Sequence, residues 1–371
     1  MRKLATIRRI SELLPIEGAD LVQLAKIDGW QCVVKKSEFE VGDRCVYFEI
    51  DSHLPIRPEF EILRRNSFKR MGEREGFRIK TIKLRGQLSQ GLALPISLFP
   101  DVFQDLSTGE LVIKLPTGDL EFETWVGTED VDLSDALDVQ KYEAAIPTEL
   151  AGQVKGNFPN FIKKTDQERC QNMYRDIFVD NFESQYEITM KLDGTSFTAF
   201  HVDGEDGVCG RNWELKLDDP KNEHNSLVRM YVDSGLQAAL RLFGKNYAVQ
   251  GELMGPGIQK NREGLKSHKL FIFDIYDIDG GCYVSPMIRQ EIFAILVGHD
   301  VDIEMVQHVP IIAYSAKLYD TLGITNIDGL LKFAEGASIH HAIREGLVFK
   351  RVDGGFSFKA ISNKFLLKEE D

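Results

Sequence analysis

The segment 186–198 (YEITMKLDGTSFT) ends an apolar, strand-like run on a lysine that is followed by Leu-Asp-Gly. A strand lysine can act as a covalent nucleophile, but its unperturbed pKa of about 10.4 keeps it protonated at neutral pH. Burial beside other cations would lower the pKa of Lys191 and free its lone pair. Asp193 lies on the same face of an extended chain, and Gly194 lets the backbone pass close to a ligand. Exposed turns can carry the same four residues, so the interpretation depends on the rest of the chain.

Four downstream segments support the interpretation as a nucleophile. They are Val249–Leu253 (VQGEL), Leu270–Tyr276 (LFIFDIY), Glu345–Lys350 (EGLVFK) and Phe356–Lys364 (FSFKAISNK). In this order, and together with the lysine segment, they resemble the collinear motifs of covalent nucleotidyltransferases, which include ATP-dependent DNA ligases, RNA ligases and mRNA capping enzymes. The resemblance extends from about residue 165 to the end of the sequence.

The composition is typical of a soluble protein with two domains. The chain has 371 residues, of which 43% are hydrophobic and 28% charged, which is enough for two cores. No apolar run approaches ~18 residues, and the charges in the first residues (MRKLATIRRISELL) are not those of a signal peptide. The five cysteines are scattered without CxxC spacing, which indicates a reducing compartment and argues against a zinc site. We therefore expect a cytoplasmic protein without a membrane segment.

The formal net charge of −13 is unfavourable for a protein that binds nucleic acid, because phosphates must be neutralised by lysine and arginine. The cations are concentrated in Arg57–Lys83 and the acids in Glu110–Asp138. The basic stretch is either a solvated charged face or a nucleic-acid contact.

Residues 1–145 are predicted to form an OB-like, nucleic-acid-engaging β-barrel. The strand-like segments are Asp20–Lys26, Gly29–Lys35, Arg44–Ile50 and Phe77–Leu84. Short strands between Gly and Asp turns favour such a barrel. Trp30 and Phe48 are either stacking residues for bases or, as is usual in a small barrel, core residues.

Residues 146–164 are predicted to be a linker, and residues 165–371 a second, α+β domain. The pattern predicts an amphipathic helix over Asn225–Phe243 and further helices over Pro286–Leu296 and Ile327–Glu335. Strands are predicted at Tyr186–Met190, Ser196–Val202, Tyr247–Glu252, Leu270–Tyr276, Leu347–Lys350 and Phe356–Ala360. The resemblance implies an ATP-grasp-like nucleotidyltransferase domain of antiparallel sheets flanked by helices.

The order of the two domains favours one branch of these enzymes. DNA ligases and capping enzymes usually place an OB domain after the last lysine motif, whereas twelve residues follow Lys359 here. A barrel in front, with Thr165–Arg169 (TDQER) and Cys209–Trp213 (CGRNW) around the lysine motif, resembles the RNA ligase 5 family. Gly210 departs from the serine that is usual at its position.

This resemblance implies an ATP-dependent ligase that joins 3′-OH and 5′-phosphate RNA ends, favouring nicks in duplexes, and that works as a monomer. A DNA ligase or a capping guanylyltransferase is the alternative enzyme. An inactive transferase fused to a nucleic-acid-binding barrel is the alternative without activity, although the intact lysine and glutamate motifs oppose it.

The resemblance also assigns catalytic roles. Lys191 attacks the α-phosphorus of ATP and carries AMP, while Lys359 neutralises that phosphate. Asp193, Glu252 and Glu345 surround Mg²⁺, or alternatively Mn²⁺, through its waters, as expected for a cation that dehydrates reluctantly. Three separate salt bridges are the alternative interpretation of these carboxylates.

Further residues are implied to bind the nucleotide. Arg169 and Arg211 are candidates for contacts with phosphate or ribose, and Lys364 is a further phosphate candidate. Phe273 and Val348 are expected on the two faces of adenine, with Phe271 as the rival of Phe273 on the same strand face. Surface ion pairs and core packing are the alternatives for these residues.

Overall fold

The computed structural model describes residues 2–105, 111–113, 131–143 and 152–369. Most of the acid-rich segment Glu110–Asp138 and the first part of the predicted linker lie outside the described residues. The chain divides into two compact units, Met1–Ile146 with Leu366–Asp371, and Pro147–Phe365. Within the described part of the chain, no helix is long and apolar enough to cross a membrane.

The first unit consists of short strands, one short α-helix and two 3-10 helices, Pro58–Leu63 and Ile96–Leu98, in its described part. The elements are β1 (Ala5–Arg9), β2 (Glu12–Pro15), β3 (Val22–Ile27), β4 (Trp30–Lys35), β5 (Arg44–Phe48), β6 (Ser52–Leu54), α1 (Arg64–Ser67), β7 (Phe68–Met71), β8 (Arg74–Arg78), β9 (Ile82–Leu84), β10 (Gln87–Ser89), β11 (Leu92–Pro95), β12 (Phe103–Asp105), β13 (Leu111–Ile113) and β14 (Gln140–Lys141).

The strands of the first unit form small sheets around a shared interior. Their orders are β1-β5-β11, β2-β3-β4 and β14-β6-β8-β7, with β9 paired to β10 and β12 to β13. Trp30 and Phe48 are both 0% exposed, so they are core residues and are not available to stack on bases.

The prediction of one strand over Phe77–Leu84 is wrong, because the segment is shared between β8 and β9. Ile79 donates to the Ser52 carbonyl at 2.8 Å and accepts from the Asp51 amide at 2.7 Å. The strand pairing of β8 therefore ends at Ile79. The chain continues into β9, which pairs with β10.

The second unit contains the remaining elements. They are β15 (Val154–Asn157), β16 (Glu168–Arg169), β17 (Gln185–Lys191), β18 (Thr195–Val202), β19 (Glu205–Cys209), β20 (Trp213–Leu215), α2 (Ser226–Asp233), α3 (Leu236–Leu242), β21 (Tyr247–Met254), β22 (Lys269–Asp277), β23 (Cys282–Tyr283), α4 (Pro286–Gly298), β24 (Val306–His308), β25 (Ile311–Lys317), α5 (Ile327–Ala334), β26 (Gly346–Arg351) and β27 (Ser357–Ile361), followed by α6 (Asn363–Glu369).

Two mostly antiparallel sheets organise the second unit. The eight-stranded sheet has the order β15-β20-β19-β18-β21-β22-β23, with β24 paired to β22, and the five-stranded sheet has the order β16-β27-β26-β17-β25. Helices α2, α3 and α4 contribute apolar side chains to the core of the eight-stranded sheet, and α5 contributes to that of the five-stranded sheet.

The predicted single helix over Asn225–Phe243 is wrong, because α2 and α3 are separate helices. Gly235 between them has a left-handed φ of 79°, and a Cβ atom there would lie 2.8 Å from the Asp300 carbonyl oxygen. The apolar pattern hides the break because both helices pack on one core, with Tyr231 from α2 and Leu236 from α3.

Candidate active site

Lys191 lies where the two sheets of the second unit are joined by the chain. It is the last residue of β17 in the five-stranded sheet, and residues 192–194 lead directly into β18 of the eight-stranded sheet. The Gly194 amide donates to a Glu252 carboxylate oxygen at 3.0 Å. Its carbonyl accepts from Gln259 Nε2 at 3.1 Å. A Cβ atom at position 194 would lie 2.4 Å from the Leu253 carbonyl oxygen, so this close turn requires glycine.

Glu345 forms an ion pair with the lysine. It directly precedes β26, whose first residue, Gly346, lies opposite Lys191 in the strand register. Glu345 Oε1 is 2.7 Å from Lys191 Nζ. Its second oxygen, Oε2, is buried and has no hydrogen-bond partner among the described residues.

The electrostatic surroundings of Lys191 differ from the expectation. Burial acts to lower the pKa of Lys191, but Glu345, Glu252 and Asp193 outweigh burial and raise that pKa above its ordinary value. The prediction of a lowered pKa at Lys191 is therefore wrong for this structure. The amine is held as an ammonium, and it must lose a proton before it can attack an electrophile.

Lys359 differs from Lys191 in having a lowered pKa. Burial lowers the pKa of Lys359 to about 7, assisted by the positive charges of Lys191 and Arg169. Arg169 on β16 and Val348 on β26 are its neighbours in the strand register. Lys191 and Lys359 both line the cavity, and two neighbouring cationic side chains favour an anion there.

Glu252 completes a charged cluster that also contains Lys191, Asp193, Glu345 and Lys359. Burial raises the pKa of Glu252 to about 7, against the lowering effect of Lys191. Because it also accepts the Gly194 amide, this carboxylate fixes the position of the turn that follows the lysine.

A cavity of about 250 Å³ lies between the two sheets, and Lys191, Glu252 and Lys359 line it. Phe273 from β22 and Val348 from β26 supply apolar walls from opposite sheets. Phe271 is 3% exposed and is not among the cavity-lining residues, whereas Phe273 lines the cavity, so Phe273 is the one of the two candidates that reaches it. Six of the ten predicted site residues line the cavity: Lys191, Arg211, Glu252, Phe273, Val348 and Lys359.

The other four predicted residues take different positions. Glu345 and Asp193 act on the Lys191 ammonium, and Arg169 acts on Lys359. Lys364 on α6 is instead an exposed lysine that pairs with Glu335 at 2.8 Å, and it is not among the cavity-lining residues. Arg211 lines the cavity while it pairs with Asp166 at 3.0 Å.

Gln259 and Lys350 are among the cavity-lining residues that were not predicted as site residues. Gln259 reaches the cavity from the loop after β21, a segment without the periodicity that marks strands and helices. Lys350 on β26 pairs with Asp274 on β22 at 2.6 Å and so connects the two sheets. Lys350 could have been recognised from its position in an apolar strand segment, EGLVFK, because a lysine that is buried in such a strand needs a partner for its charge.

The carboxylates fit a hydrated divalent cation. Asp193, Glu252 and Glu345 provide the oxygen ligands that Mg²⁺ and Mn²⁺ prefer. In the described ranges, no three His, Cys, Asp or Glu side chains lie close enough together to hold a metal directly. The buried Oε2 atom of Glu345, which has no partner in the described part of the chain, suits a contact to a metal-bound water.

Comparison with known proteins identifies both parts of the chain. An OB-fold domain model matches residues 4–96, and an RNA ligase model matches residues 184–361. The solved structure of Naegleria gruberi RNA ligase with PPi is 40% identical, with a TM-score of 0.77, and the match covers 100% of both chains. A search of the curated proteins found no match.

Two variants of the Naegleria gruberi enzyme were solved with nucleotides. One with AMP and Mn is 39% identical with a TM-score of 0.77, and one with ATP and Mn is 39% identical with a TM-score of 0.76. Both matches cover 100% of both chains. The predictions of an N-terminal OB-fold and of a ligase domain with antiparallel sheets are thus confirmed. The chain belongs to the RNA ligase family.

Proposed function

We propose that this RNA ligase uses ATP to join 3′-OH and 5′-phosphate RNA ends through an AMP carried on Lys191, and that nicks in duplexes are its preferred substrate. The observation that carries the proposal is that Lys191, Glu252 and Lys359 line one cavity between two sheets, while Glu345 and Asp193 act on the Lys191 ammonium. The Naegleria gruberi structures with ATP, AMP and PPi support it, because these are the substrate and products of such a reaction.

In the first step, Lys191 Nζ attacks the α-phosphorus of ATP. An N–P bond forms, the bond to pyrophosphate breaks, and Nζ loses a proton. Glu345 Oε1, at 2.7 Å from Nζ, is placed to accept that proton. A divalent cation bound by the carboxylates supplies positive charge to the phosphate oxygens.

Lys359 stabilises the phosphate during this transfer. Its pKa of about 7 belongs to the protein without nucleotide, and an anionic phosphate beside it favours the ammonium form. Phosphoryl transfer depends mainly on positioning and on charge neutralisation, so a cation on β27 opposite the nucleophile suits the reaction. Arg169 and Arg211 are placed to add contacts to phosphate or ribose.

The adenine base is held between the two sheets in this proposal. Phe273 and Val348 line the cavity from opposite sides, and a flat aromatic base fits between an aromatic ring and a branched aliphatic side chain. The pair Lys350–Asp274 bridges the two strands that carry these walls and so helps to fix their separation.

In the second step, AMP passes from Lys191 to the 5′-phosphate of the RNA, so the N–P bond breaks and a 5′–5′ pyrophosphate bond forms. In the third step, the 3′-OH attacks the RNA 5′-phosphorus, and AMP leaves. The third step needs no lysine nucleophile, which separates the role of Lys191 from the roles of the other residues.

The decisive experiment is incubation with α-labelled ATP and Mg²⁺, followed by denaturing electrophoresis. The wild-type chain should become labelled, whereas Lys191→Ala and Lys191→Arg should not, since a guanidinium is not deprotonated in proteins. Lys191→Ala should still close a nick whose 5′ end is already adenylated. Label on the alanine variant would reject Lys191 as the nucleophile.

The substrate class is tested by comparing nicked duplexes with RNA and with DNA at the 3′-OH end. We expect sealing with the RNA 3′-OH and much slower sealing with the DNA 3′-OH. Equal rates on both would favour the DNA ligase alternative.

A further inference from the structure

The segment 335–345 leads from α5 to Glu345, the residue that pairs with Lys191. All of its residues are described, and they form no helix or strand. Regular strand pairing begins only with Gly346, which lies opposite Lys191 on one side and Ile361 on the other. The sheet therefore fixes Glu345 from its C-terminal side, and its position on the N-terminal side depends on how this segment is held.

Arg344 holds the segment by binding the end of α5. Its Nε donates to the Ala334 carbonyl at 2.9 Å, and its Nη2 donates to the carbonyls of Phe333 and Glu335 at 2.7 and 2.9 Å. The last carbonyls of a helix lack partners within the helix and carry the negative end of its dipole. A guanidinium suits this end, because it combines a positive charge with several N–H groups in one plane.

Gly336 leaves the space for this guanidinium. Its φ is 150°, and a Cβ atom at this position would lie 3.0 Å from Arg344 Cζ and 3.2 Å from both Nη1 and Nη2. The Arg344 amide also donates to the Gly336 carbonyl at 2.8 Å. The two ends of the segment are thus joined to one another directly before Glu345.

The middle of the segment packs beside the neighbours of the proposed nucleophile. Ile339 packs against the apolar cluster that contains Met190 and Leu192, the residues on either side of Lys191. The Ser338 hydroxyl lies 3.6 Å from the Met190 sulfur. The segment that precedes Glu345 therefore has a fixed position relative to Lys191.

Arg344 can act on the reaction only through another residue. It is not among the described residues that line the cavity, and its three side-chain bonds end on backbone carbonyls at the end of α5. The next residue is Glu345, whose Oε1 is 2.7 Å from Lys191 Nζ. Misplacement of a catalytic group by about 1 Å lowers a rate on the order of 10²-fold, so the anchoring of this carboxylate matters to the reaction.

We propose that Arg344 is a positioning residue for the transfer of AMP to Lys191. By binding the carbonyl end of α5, it holds Glu345 where its carboxylate pairs with the Lys191 amine and accepts the proton that the amine loses. The proposal rests on the proposed function, because it assumes that Lys191 attacks ATP.

The test compares Arg344→Ala with the wild-type chain in a single-turnover reaction with α-labelled ATP. The rate constant reports the chemical step, whereas the final labelled fraction reports how much protein is folded and active. We expect the rate constant at saturating ATP to fall on the order of 10-fold. The labelled fraction and the ATP concentration for half-maximal rate should not change, because the residues that line the cavity are untouched. Arg344→Lys should recover part of the rate, because it keeps the charge but lacks the planar fork.

Two further variants separate positioning from a general effect on α5. Lys332→Ala is the matched control, because Lys332 is an exposed residue that pairs with Glu335 at the same helix end, at 3.1 Å, and it should keep the wild-type rate constant. Gly336→Ala retains Arg344 but places a Cβ atom against its guanidinium. Its rate constant should fall as in Arg344→Ala.

A double-mutant cycle shows whether Arg344 acts through Glu345. In a chain that already carries Glu345→Gln, Arg344→Ala should lower the remaining rate constant by less than about twofold, because residues that act as a unit are not additive. An equal effect of Arg344→Ala in both backgrounds, or a loss of labelled fraction at the wild-type rate constant, would overturn the positioning role. Absence of labelling in the wild-type chain would instead reject the proposed function, and this role with it.

Discussion

At the scale of single residues, the site contains two lysines with opposite pKa shifts. Carboxylates outweigh burial and raise the pKa of Lys191, whereas burial and two neighbouring cations lower the pKa of Lys359 to about 7. The proposed nucleophile is thus held in an ion pair, and the proposed phosphate-binding lysine changes charge near neutral pH, as does Glu252 with its pKa of about 7.

The titration of Lys359 predicts how ATP affinity depends on pH. Below pH 7 Lys359 is charged and attracts phosphate, and above it the unliganded protein holds a neutral amine, so affinity should fall as the pH rises from 6 to 8. Lys359→Arg keeps its charge and should bind with a weaker pH dependence over this range, where Glu252, with its pKa of about 7, still titrates. Calorimetric titration with an ATP analogue that carries a methylene between the α- and β-phosphorus avoids turnover. If the ATP affinity depended on pH equally in the wild-type protein and in Lys359→Arg, the assignment of this dependence to Lys359 would be contradicted.

How far these residues could be predicted depends on the kind of signal they leave. Lys191, Glu252, Glu345 and Lys359 occur in motif segments, so each of them was predicted as a site residue. Gln259 is outside any periodic pattern, and its bond to the Gly194 carbonyl exists only after folding. The direction of the pKa shift of Lys191 was predicted wrongly, because the sequence does not reveal how closely three carboxylates approach one amine.

At the scale of secondary-structure elements, a buried polar network connects α4 to the strand that carries the nucleophile. Arg289 on α4 is 0% exposed and donates to both oxygens of Glu187 on β17, at 2.6 and 2.8 Å. Its Nε also donates to His308 on β24 at 3.0 Å. Burial, assisted by Arg289, lowers the pKa of His308 to about 4, so His308 is a neutral acceptor.

Removal of one charged partner from this network should lower the free energy of unfolding. Glu187→Ala leaves a buried guanidinium without its counter-ion, which typically costs about 3–5 kcal/mol. Glu183→Ala is the matched control, because Glu183 pairs with Lys317 at an exposed position and such pairs contribute about 0–1 kcal/mol. Urea unfolding of both variants measures the difference. A loss of stability at Glu187 no larger than that at Glu183 would refute the structural role of the network.

Most strands and helices of the second unit could be predicted because each buries a regular apolar pattern. The exceptions were positions where tertiary contacts interrupt a pattern that is locally continuous. Gly235 ends α2 against the Asp300 backbone, and Ile79 ends β8 on Asp51 and Ser52. At Gly235 the deciding contact comes from a segment remote in the chain, and at Ile79 it comes from a neighbouring strand.

At the scale of the whole molecule, the assigned nucleotide chemistry belongs to one compact unit. Every residue of the charged cluster lies in Pro147–Phe365, and the eight-stranded sheet begins at β15 (Val154–Asn157). The OB-fold precedes all of them. A division of labour between nucleotide chemistry and RNA binding is therefore expected.

A fragment that begins at residue 147 tests this division. It should become labelled by α-labelled ATP, because it retains both sheets and the cavity, but it should seal nicked RNA less efficiently than the full chain. Labelling and sealing are measured on the same preparations, with circular dichroism to verify folding. Sealing at the full-chain rate would show that the OB-fold has no part in substrate engagement.

The construction of the site from two sheets has a consequence for the protein during its synthesis. The proposed nucleophile ends β17, which pairs with β26, the strand that follows Glu345, and β26 in turn pairs with β27, which contains Lys359. A growing chain on the ribosome therefore carries Lys191 for more than 150 residues before Glu345 and Lys359 have been translated. We expect such a chain to be unable to consume ATP, so that catalytic competence coincides with completion of the last strand.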